Sequence, residues 1–456
     1  MAMVVWTLFL IPRLGPPRSL LFFVILATSG EWYRHAAHAR VDMLLAGLVS
    51  LSLLVLFQWT HTNQIKLLIG AGILMALAAL TKGPVGVALP VIITLCAMLL
   101  WKKFKVRKLL SLGVTAGVAL MPLLAWYSAE MLVGNNNLID IVLHENLDRL
   151  LGKMSSSTDP HTHGPLYLIG AFFVGLLPWS FFAALTVPFF IKRKIELQET
   201  QEMRRFIQWC LLSIAITVVI FLIPDSKRGV YLLPIYPASA ALLTVLLYEF
   251  AKHRKDLARK GVSFAIGLLA LLCFVALLLR LNLFDFQTFV ASQKTADNLL
   301  FYIKLLRHSW LESSAFSRAL QVVPLALITQ ILLRVWARSL PPLHSFGVVL
   351  ALVFIFFKIT FVAPAAAHLS PKRFIAQEIS DHHPPEMTLL SNRMYAEAFY
   401  IRQADPHLTV KNYSDSSTHV LFWEEDESLL PQPLYIHRSE ENIKKPGKHL
   451  EFAIVK

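Results

Sequence analysis

Residues 31–42 read Glu-Trp-Tyr-Arg-His-Ala-Ala-His-Ala-Arg-Val-Asp and lead directly into the apolar run 43–59. An ionised carboxylate at the centre of a membrane helix costs about 2.5–3.5 kcal/mol on insertion scales, so these groups need polar partners. If the stretch is helical throughout, Arg34, His38 and Asp42 share one face that could hold a phosphate, a metal ion or a sugar. The alternative is an interfacial helix end with an aromatic anchor and snorkelling bases.

The composition is that of a polytopic membrane protein. Of the 456 residues, 56% are hydrophobic and 16% are charged, whereas soluble domains carry about 25% charged residues. The net charge of +14 lies mainly in short clusters between apolar runs, so it indicates topology and contact with membrane lipids rather than a nucleic-acid partner. Cys96, Cys210 and Cys273 fall inside apolar runs and predict no disulfide framework.

Apolar runs predict eleven membrane spans and the tail of another, because each is long enough for a hydrocarbon core of about 30 Å. Basic clusters at 102–108, 192–205 and 252–260 all fall on one side of these spans, which the positive-inside rule makes cytoplasmic. The stretch 31–42 and the other unusual polar turns then share the outer side. The spans lie near 19–33, 42–59, 67–81, 85–101, 109–127, 166–190, 207–224, 231–250, 262–281, 318–336 and 345–363, with the tail at 2–12.

The composition changes near His368, where the aliphatic runs stop and Asp, Glu, His and Pro become frequent. This change predicts two domains: a membrane domain over 1–366 and a soluble outer-face domain over 367–456. Alternating patterns predict a small α/β module in the second domain. Its expected strands lie at 387–391, 420–423, 433–437 and 450–455, and its expected helices at 370–382 and 394–402.

The turn Thr81-Lys82-Gly83-Pro84 places a lysine at membrane depth on the outer side. A lysine there is a suitable point-charge partner for a phosphate. The alternative is a tight turn with a snorkelling lysine.

The loop after Tyr127 runs for some 37 residues and carries His144, Arg149 and His163. Loops of this length are usually functional lids or disordered, and the His and Arg placement favours a lid. His161 and His163 could ligate a metal, although such a pair is common in polar loops.

The hairpin 224–237 places two bases, Lys227 and Arg228, and two tyrosines, Tyr231 and Tyr236, at the outer mouth of two spans. A substrate site is one interpretation. A basic interfacial turn with an aromatic belt is the other.

These motifs together resemble those of the GT-C glycosyltransferases, in the lineage of protein O-mannosyltransferases and lipid A aminoarabinose transferases. The resemblance covers roughly residues 10–400 in order, and its last two motifs are the most specific. The matching stretches are Ala39-Arg40-Val41-Asp42, Leu80-Thr81-Lys82-Gly83-Pro84, His144 with Asn146 and Arg149, His163-Gly164-Pro165-Leu166-Tyr167, Leu177-Pro178-Trp179-Ser180, and Ser226-Lys227-Arg228 through Tyr231-Leu232-Leu233-Pro234-Ile235-Tyr236-Pro237.

The resemblance implies an all-α, GT-C-like membrane protein of the bacterial cytoplasmic (inner) membrane, with its active face and α/β C-terminal domain in the periplasm. It implies transfer of a glycosyl unit from a polyprenyl-phosphate sugar donor to a lipid, glycan or protein acceptor, with a divalent metal ion as a possible cofactor. On this resemblance Lys82, Lys227 and Arg228 hold the donor phosphate, Tyr231 and Tyr236 line the substrate site, His144, Arg149 and His163 belong to the loop that closes over it, and Asp42 is the catalytic or metal-side carboxylate.

One departure from the family concerns the N-terminal end. Members of the family have an earlier membrane helix and a first outer loop with an acidic motif, and no acid of this sequence matches that position. We therefore expect an N-terminally truncated chain. Three other functions stay open: another membrane enzyme that handles polyprenyl phosphate, a catalytically impaired relative that binds lipid phosphate, and a membrane transporter, although the sequence shows no internal repeat of the kind that many transporters have.

Overall fold

The computed structural model of the protein describes residues 1–37, 40–132, 163–164, 166–192, 200–224, 227–280, 314–391, 394–414, 417–430, 435–439 and 449–455. Its contacts divide the chain into two compact units. One comprises Met1–Phe264 with Arg334–Leu350, and the other comprises Ala265–Leu333 with Ala351–Lys456. The domain boundary between residues 366 and 367 stays a prediction.

Glycine and proline set several of the helix boundaries in the apolar part of the chain. Gly15 (φ +80°) and Gly83 (φ +83°) take backbone conformations that favour glycine; Gly15 precedes Pro16, the first residue of α2, and Gly83 precedes Pro84, the N-cap of α6. The helices are α1 (Ala2–Leu14), α2 (Pro16–Ala27), α3 (Gly30–Ala36), α4 (Val41–Thr62), α5 (Ile65–Lys82), α6 (Val85–Leu100), α7 (Val106–Leu132), α8 (Leu166–Gly175), α9 (Trp179–Ile191), α10 (Gln201–Leu222), the 3₁₀ segment (Gly229–Ile235), α11 (Tyr236–His253), α12 (Lys255–Arg280), α13 (Ala315–Trp336), α14 (Pro342–Phe357) and α15 (Ala363–His368).

The helices agree with the predicted integral membrane protein. In the part of the chain that the structure describes, seven helical segments are long and apolar enough to cross a membrane, and a bent pair, α8 with α9, would make an eighth. Four shorter apolar helices accompany them: α1, α2, α6 and the Val322–Trp336 part of α13. Each predicted span therefore overlaps at least one apolar helix.

Two predicted spans differ from the structure in their shape. The span predicted at 19–33 ends at Ala27, and α3 follows as a separate short helix. The span predicted at 166–190 is bent by 105° between α8 and α9. Pro178 stands at this bend and has no N–H for the helical hydrogen-bond ladder. Next to it, the Gly30 N–H donates to the Leu177 carbonyl at 3.1 Å, so the bend is tied to the start of α3.

The C-terminal residues form the predicted α/β module. Two helices, α16 (Lys372–His382) and α17 (Tyr395–Ala404), accompany a five-stranded sheet of order β2-β1-β3-β5-β4. The β1–β2 and β1–β3 pairs are parallel, and the β3–β5 and β4–β5 pairs are antiparallel. The strands are β1 (Glu386–Leu389), β2 (Thr409–Asn412), β3 (His419–Trp423), β4 (Tyr435–Arg438) and β5 (Leu450–Ile454).

The core of this module explains which strands the sequence could predict. Ile375, Ile401, Leu421 and Phe452 are fully buried in one cluster and come from α16, α17, β3 and β5. Strand β2 was not predicted, because it is an edge strand that is mostly exposed and lacks a buried apolar face.

Candidate active site

The stretch 31–42 is not one continuous helix. Helix α3 ends at Ala36, and α4 begins at Val41 after Arg40, whose backbone is extended (φ −104°, ψ 141°). Arg34 and Asp42 therefore belong to different helices, and the expectation that they share one helical face is wrong. His38, the third member of that face, lies outside the described residues.

Asp42 and Lys82 meet at the open end of the α4–α5 hairpin, opposite its turn at residues 63–64. Asp42 lies in the first turn of α4, and Lys82 is the last residue of α5. The Lys82 ammonium donates to Asp42 Oδ1 and lies 4.9 Å from the ring centroid of Tyr231. The Lys82 side chain stays 38% exposed, so it can contact an additional anion.

A second cluster of charged side chains is centred on Glu31. Glu31 Oε1 accepts a hydrogen bond from Arg34 Nη2 at 2.6 Å and lies 2.9 Å from His35 Nε2. His35 is 2% exposed, and its Nδ1 has no partner among the described residues. Glu31 was not among the predicted site residues, although its i, i+3 and i, i+4 spacing to Arg34 and His35 indicates that the three side chains can meet on one face of a helix.

Tyr236 lies against this second cluster and is buried. Its ring stacks on Trp32, with centroids 6.5 Å apart, and meets the edge of Phe172 at 6.1 Å. A Cβ atom added at Gly175 would lie 1.9 Å from the Tyr236 hydroxyl oxygen and 2.8 Å from Glu31 Cβ. The absence of a side chain at Gly175 thus allows α3, α8 and α11 to approach closely.

The 3₁₀ segment connects the two clusters. A Cβ atom added at Gly229 would lie 3.9 Å from Glu31 Oε1. Tyr231, two residues later in the same segment, lies beside Lys82 and stacks on Phe221 at 5.1 Å. The Glu31–His35 pair and the Lys82 ammonium therefore both lie beside the short segment Gly229–Ile235.

We expect Gly175→Ala to destabilise the protein, because the added methyl group would overlap the Tyr236 hydroxyl. Overpacking of this kind typically costs about 1–3 kcal/mol. The measurement is the midpoint of thermal unfolding of the detergent-solubilised protein. Gly170→Ala is the matched control, since it lies on the same helix and its added Cβ would meet nothing within 4 Å. Equal midpoints for the two variants would contradict the packing described above.

The remaining predicted site residues differ in their exposure, in their contacts and in whether the structure describes them. Lys227 is 5% exposed, and its ammonium donates to the Pro224 carbonyl at 2.7 Å, so it is engaged by its own turn. Arg228, its neighbour, is exposed. His163 stacks on Tyr167 with ring centroids 4.0 Å apart. His144 and Arg149 lie outside the described residues, so their assignment to a closing loop stays a prediction.

A metal ion stays a hypothesis for this site. Where the structure describes the chain, no three His, Cys, Asp or Glu side chains are close enough together to hold one. Glu31 with His35 offers two donors, and Asp42 is engaged by Lys82. No chemical step is therefore assigned to a metal here.

No family model matches the chain. A curated relative, an uncharacterized protein from Aquifex aeolicus (strain VF5), is 27% identical over 226 residues. This match covers 49% of the chain and 42% of that relative, so the chain spans less than half of the relative's length.

Two solved structures are similar to the whole chain. The crystal structure of ArnT from Cupriavidus metallidurans bound to undecaprenyl phosphate has a TM-score of 0.67 and 16% identity. The apo form of the same protein has a TM-score of 0.63, also at 16% identity. Both comparisons cover 99% of this chain and 81% of ArnT. ArnT is the lipid A aminoarabinose transferase, a GT-C glycosyltransferase, so the GT-C-like fold expected from the sequence motifs is confirmed.

Proposed function

We propose that this chain, which has the fold of ArnT, is a membrane glycosyltransferase that uses a polyprenyl-phosphate sugar as donor. The acceptor would be a lipid, a glycan or a protein. The observation that carries the proposal is the partly exposed Lys82 ammonium, held between Asp42 and Tyr231 in a fold whose solved representative binds undecaprenyl phosphate. The basic clusters on the opposite side of the spans support a site on the periplasmic face of the inner membrane.

The donor half of the site consists of Lys82, Asp42, Tyr231 and Arg228. When the glycosyl bond breaks, negative charge accumulates on the departing phosphate, and positioned cations stabilise that charge. Lys82 supplies one such cation, and Asp42 fixes its position. Arg228 is exposed beside the 3₁₀ segment and can supply a second. Lys227 would first have to leave the Pro224 carbonyl.

The acceptor half is built on Glu31 and His35. In the proposed step the acceptor oxygen attacks the anomeric carbon, the bond from that carbon to the phosphate oxygen breaks, and polyprenyl phosphate leaves with the electron pair. The proton of the acceptor hydroxyl then passes to Glu31, which acts as general base. Both described hydrogen bonds of Glu31 fall on Oε1, so Oε2 is the oxygen that we expect to take the proton.

Binding of the lipid product tests the proposal without knowledge of the sugar or the acceptor. We expect the purified protein to retain undecaprenyl phosphate, but not undecaprenol, in native mass spectrometry. The two lipids have the same chain and differ in the phosphate, which is the group that the cations would recognise. Equal retention of both lipids would contradict a phosphate-binding site.

A further inference from the structure

A charged cavity lies at the opposite, basic end of the spans. It has a volume of about 450 Å³ and is lined by Asp256, Arg259, Lys260, Ser263, Trp336 and Arg338. These residues come from the first turns of α12 and from the end of α13 with the turn that follows. All of them belong to the first compact unit. Neither the predicted site residues nor the proposed transfer reaction uses this cavity.

The cavity is positively charged and is held in shape by contacts between its own walls. Three cations and one carboxylate line it, which gives a net charge of +2. The Arg259 guanidinium donates to the Val335 carbonyl at 3.0 Å and thereby ties α12 to α13. Arg338 lies 3.3 Å from Asp256, and both side chains are about three-quarters exposed, so this contact is weak and open to competition.

One polar atom of the cavity lacks a partner. Ser263 Oγ is buried and makes no hydrogen bond to any described residue. Buried hydroxyl groups are normally satisfied, because an unmade hydrogen bond leaves a desolvation cost. An oxygen-rich anion in the cavity would accept a hydrogen bond from this hydroxyl while it contacts Lys260.

The position of the cavity indicates what carries the anion. The cavity residues of α12 lie in the first turns of Lys255–Leu278, a segment that is long and apolar enough to span a membrane. The cavity therefore lies at the polar end of a span, where lipid phosphates are found. Trp336 is 76% exposed there, which is typical of an aromatic side chain at the headgroup level. Basic pockets between membrane helices are a recurrent site for anionic headgroups.

We propose that this cavity binds the phosphate headgroup of an anionic phospholipid. Lys260, Arg259 and Arg338 would contact the phosphate, Ser263 would donate a hydrogen bond to it, and Trp336 would lie along the start of the acyl chains. The site is separate from the donor site in both location and ligand. A phospholipid bound in this cavity would dissociate less readily than a phospholipid of the surrounding bilayer.

The test uses the complete protein in nanodiscs of phosphatidylethanolamine and phosphatidylglycerol. Native mass spectrometry counts the phosphatidylglycerol that remains bound after release from the nanodisc. We expect the double variant Lys260→Gln, Arg338→Gln to weaken retention about tenfold and Ser263→Ala to weaken it about threefold. The matched control is Lys105→Gln, Arg107→Gln, which removes two exposed cations from the same basic side and should retain the lipid as the parent does.

Three results would overturn the proposal. The first is unchanged retention in the Lys260 and Arg338 variant. The second is an equal loss in the control variant, which would indicate attraction to the whole basic surface. The third is stabilisation by 10 mM inorganic phosphate without retention of phosphatidylglycerol, which would indicate a soluble ligand. The thermal midpoint of each variant, measured in phosphatidylethanolamine alone, separates loss of the site from loss of the fold.

Discussion

Replacement of Lys82 by alanine is expected to lower glycosyl transfer by about 100-fold to 1000-fold, the range found when one preorganised charge-stabilising donor is removed. Lys82 is the cation that Asp42 and Tyr231 hold at the mouth of the α4–α5 hairpin. If Lys82 binds the donor as proposed, its loss removes a fixed positive charge from the departing phosphate and leaves Asp42 without the cation that it contacts. The effect should therefore appear in donor binding as well as in turnover.

The measurement is the release of undecaprenyl phosphate from an undecaprenyl-phosphate-linked hexose in native membranes, together with undecaprenyl phosphate affinity. Lys66→Ala is the matched control, since Lys66 is an exposed lysine in the first turn of the same helix. We expect the control to behave as the parent does. Full turnover and full affinity in the Lys82 variant would remove this residue from the donor site.

Replacement of Glu31 by glutamine is expected to lower transfer by about 100-fold to 10,000-fold, which is the usual contribution of a positioned general base. The change keeps the shape of the side chain and its capacity to accept a hydrogen bond from Arg34. Affinity for undecaprenyl phosphate should stay unchanged, because the carboxylate is assigned to the acceptor and not to the donor. The two variants are thus expected to separate binding from turnover.

Glu130→Gln provides the comparison for this experiment, since Glu130 lies near the end of α7 on the same predicted side of the membrane. A Glu31 variant that loses transfer and lipid affinity together would indicate a structural role for the carboxylate. Full transfer in that variant would show that the proton passes to a different group.

The helices were predictable because length, apolarity and flanking basic residues are local properties of the sequence. The end of α2 and the start of α9 were not predictable, because both depend on contacts with residues that are distant in the sequence. The Trp179 indole N–H, for example, donates to Thr28 Oγ1 at 2.8 Å, across 151 residues of sequence. Thr28 itself donates to the Val24 carbonyl, where α2 ends. The pattern of apolar residues in 19–33 gives no indication of such a contact.

In the candidate site, too, the sequence predicts which residues take part but not the orientation of each side chain. The sequence identified Asp42, Lys82 and Tyr231 as outer-mouth residues, and the structure brings these three together. The sequence alone could not show which of Lys227 and Arg228 is exposed, since the two bases are adjacent. The turn before the 3₁₀ segment buries Lys227 and leaves Arg228 exposed. Which of two neighbours faces solvent is a property of that turn and not of composition.

The sequence separation of the contacts has a consequence for biosynthesis. Asp42 and Lys82 are 40 residues apart and join consecutive helices, so their ion pair can form soon after the α4–α5 hairpin leaves the ribosome. The surroundings of Glu31 require Gly175 and Tyr236, which are synthesised much later. During co-translational insertion the nascent chain would therefore carry the proposed lysine–aspartate site for lipid phosphate well before Glu31, the proposed general base, is enclosed. A chain that ends directly ahead of α11 would contain Asp42 and Lys82 but lack Tyr236, so on the proposed assignment it could contact the phosphate of the donor without enclosing Glu31.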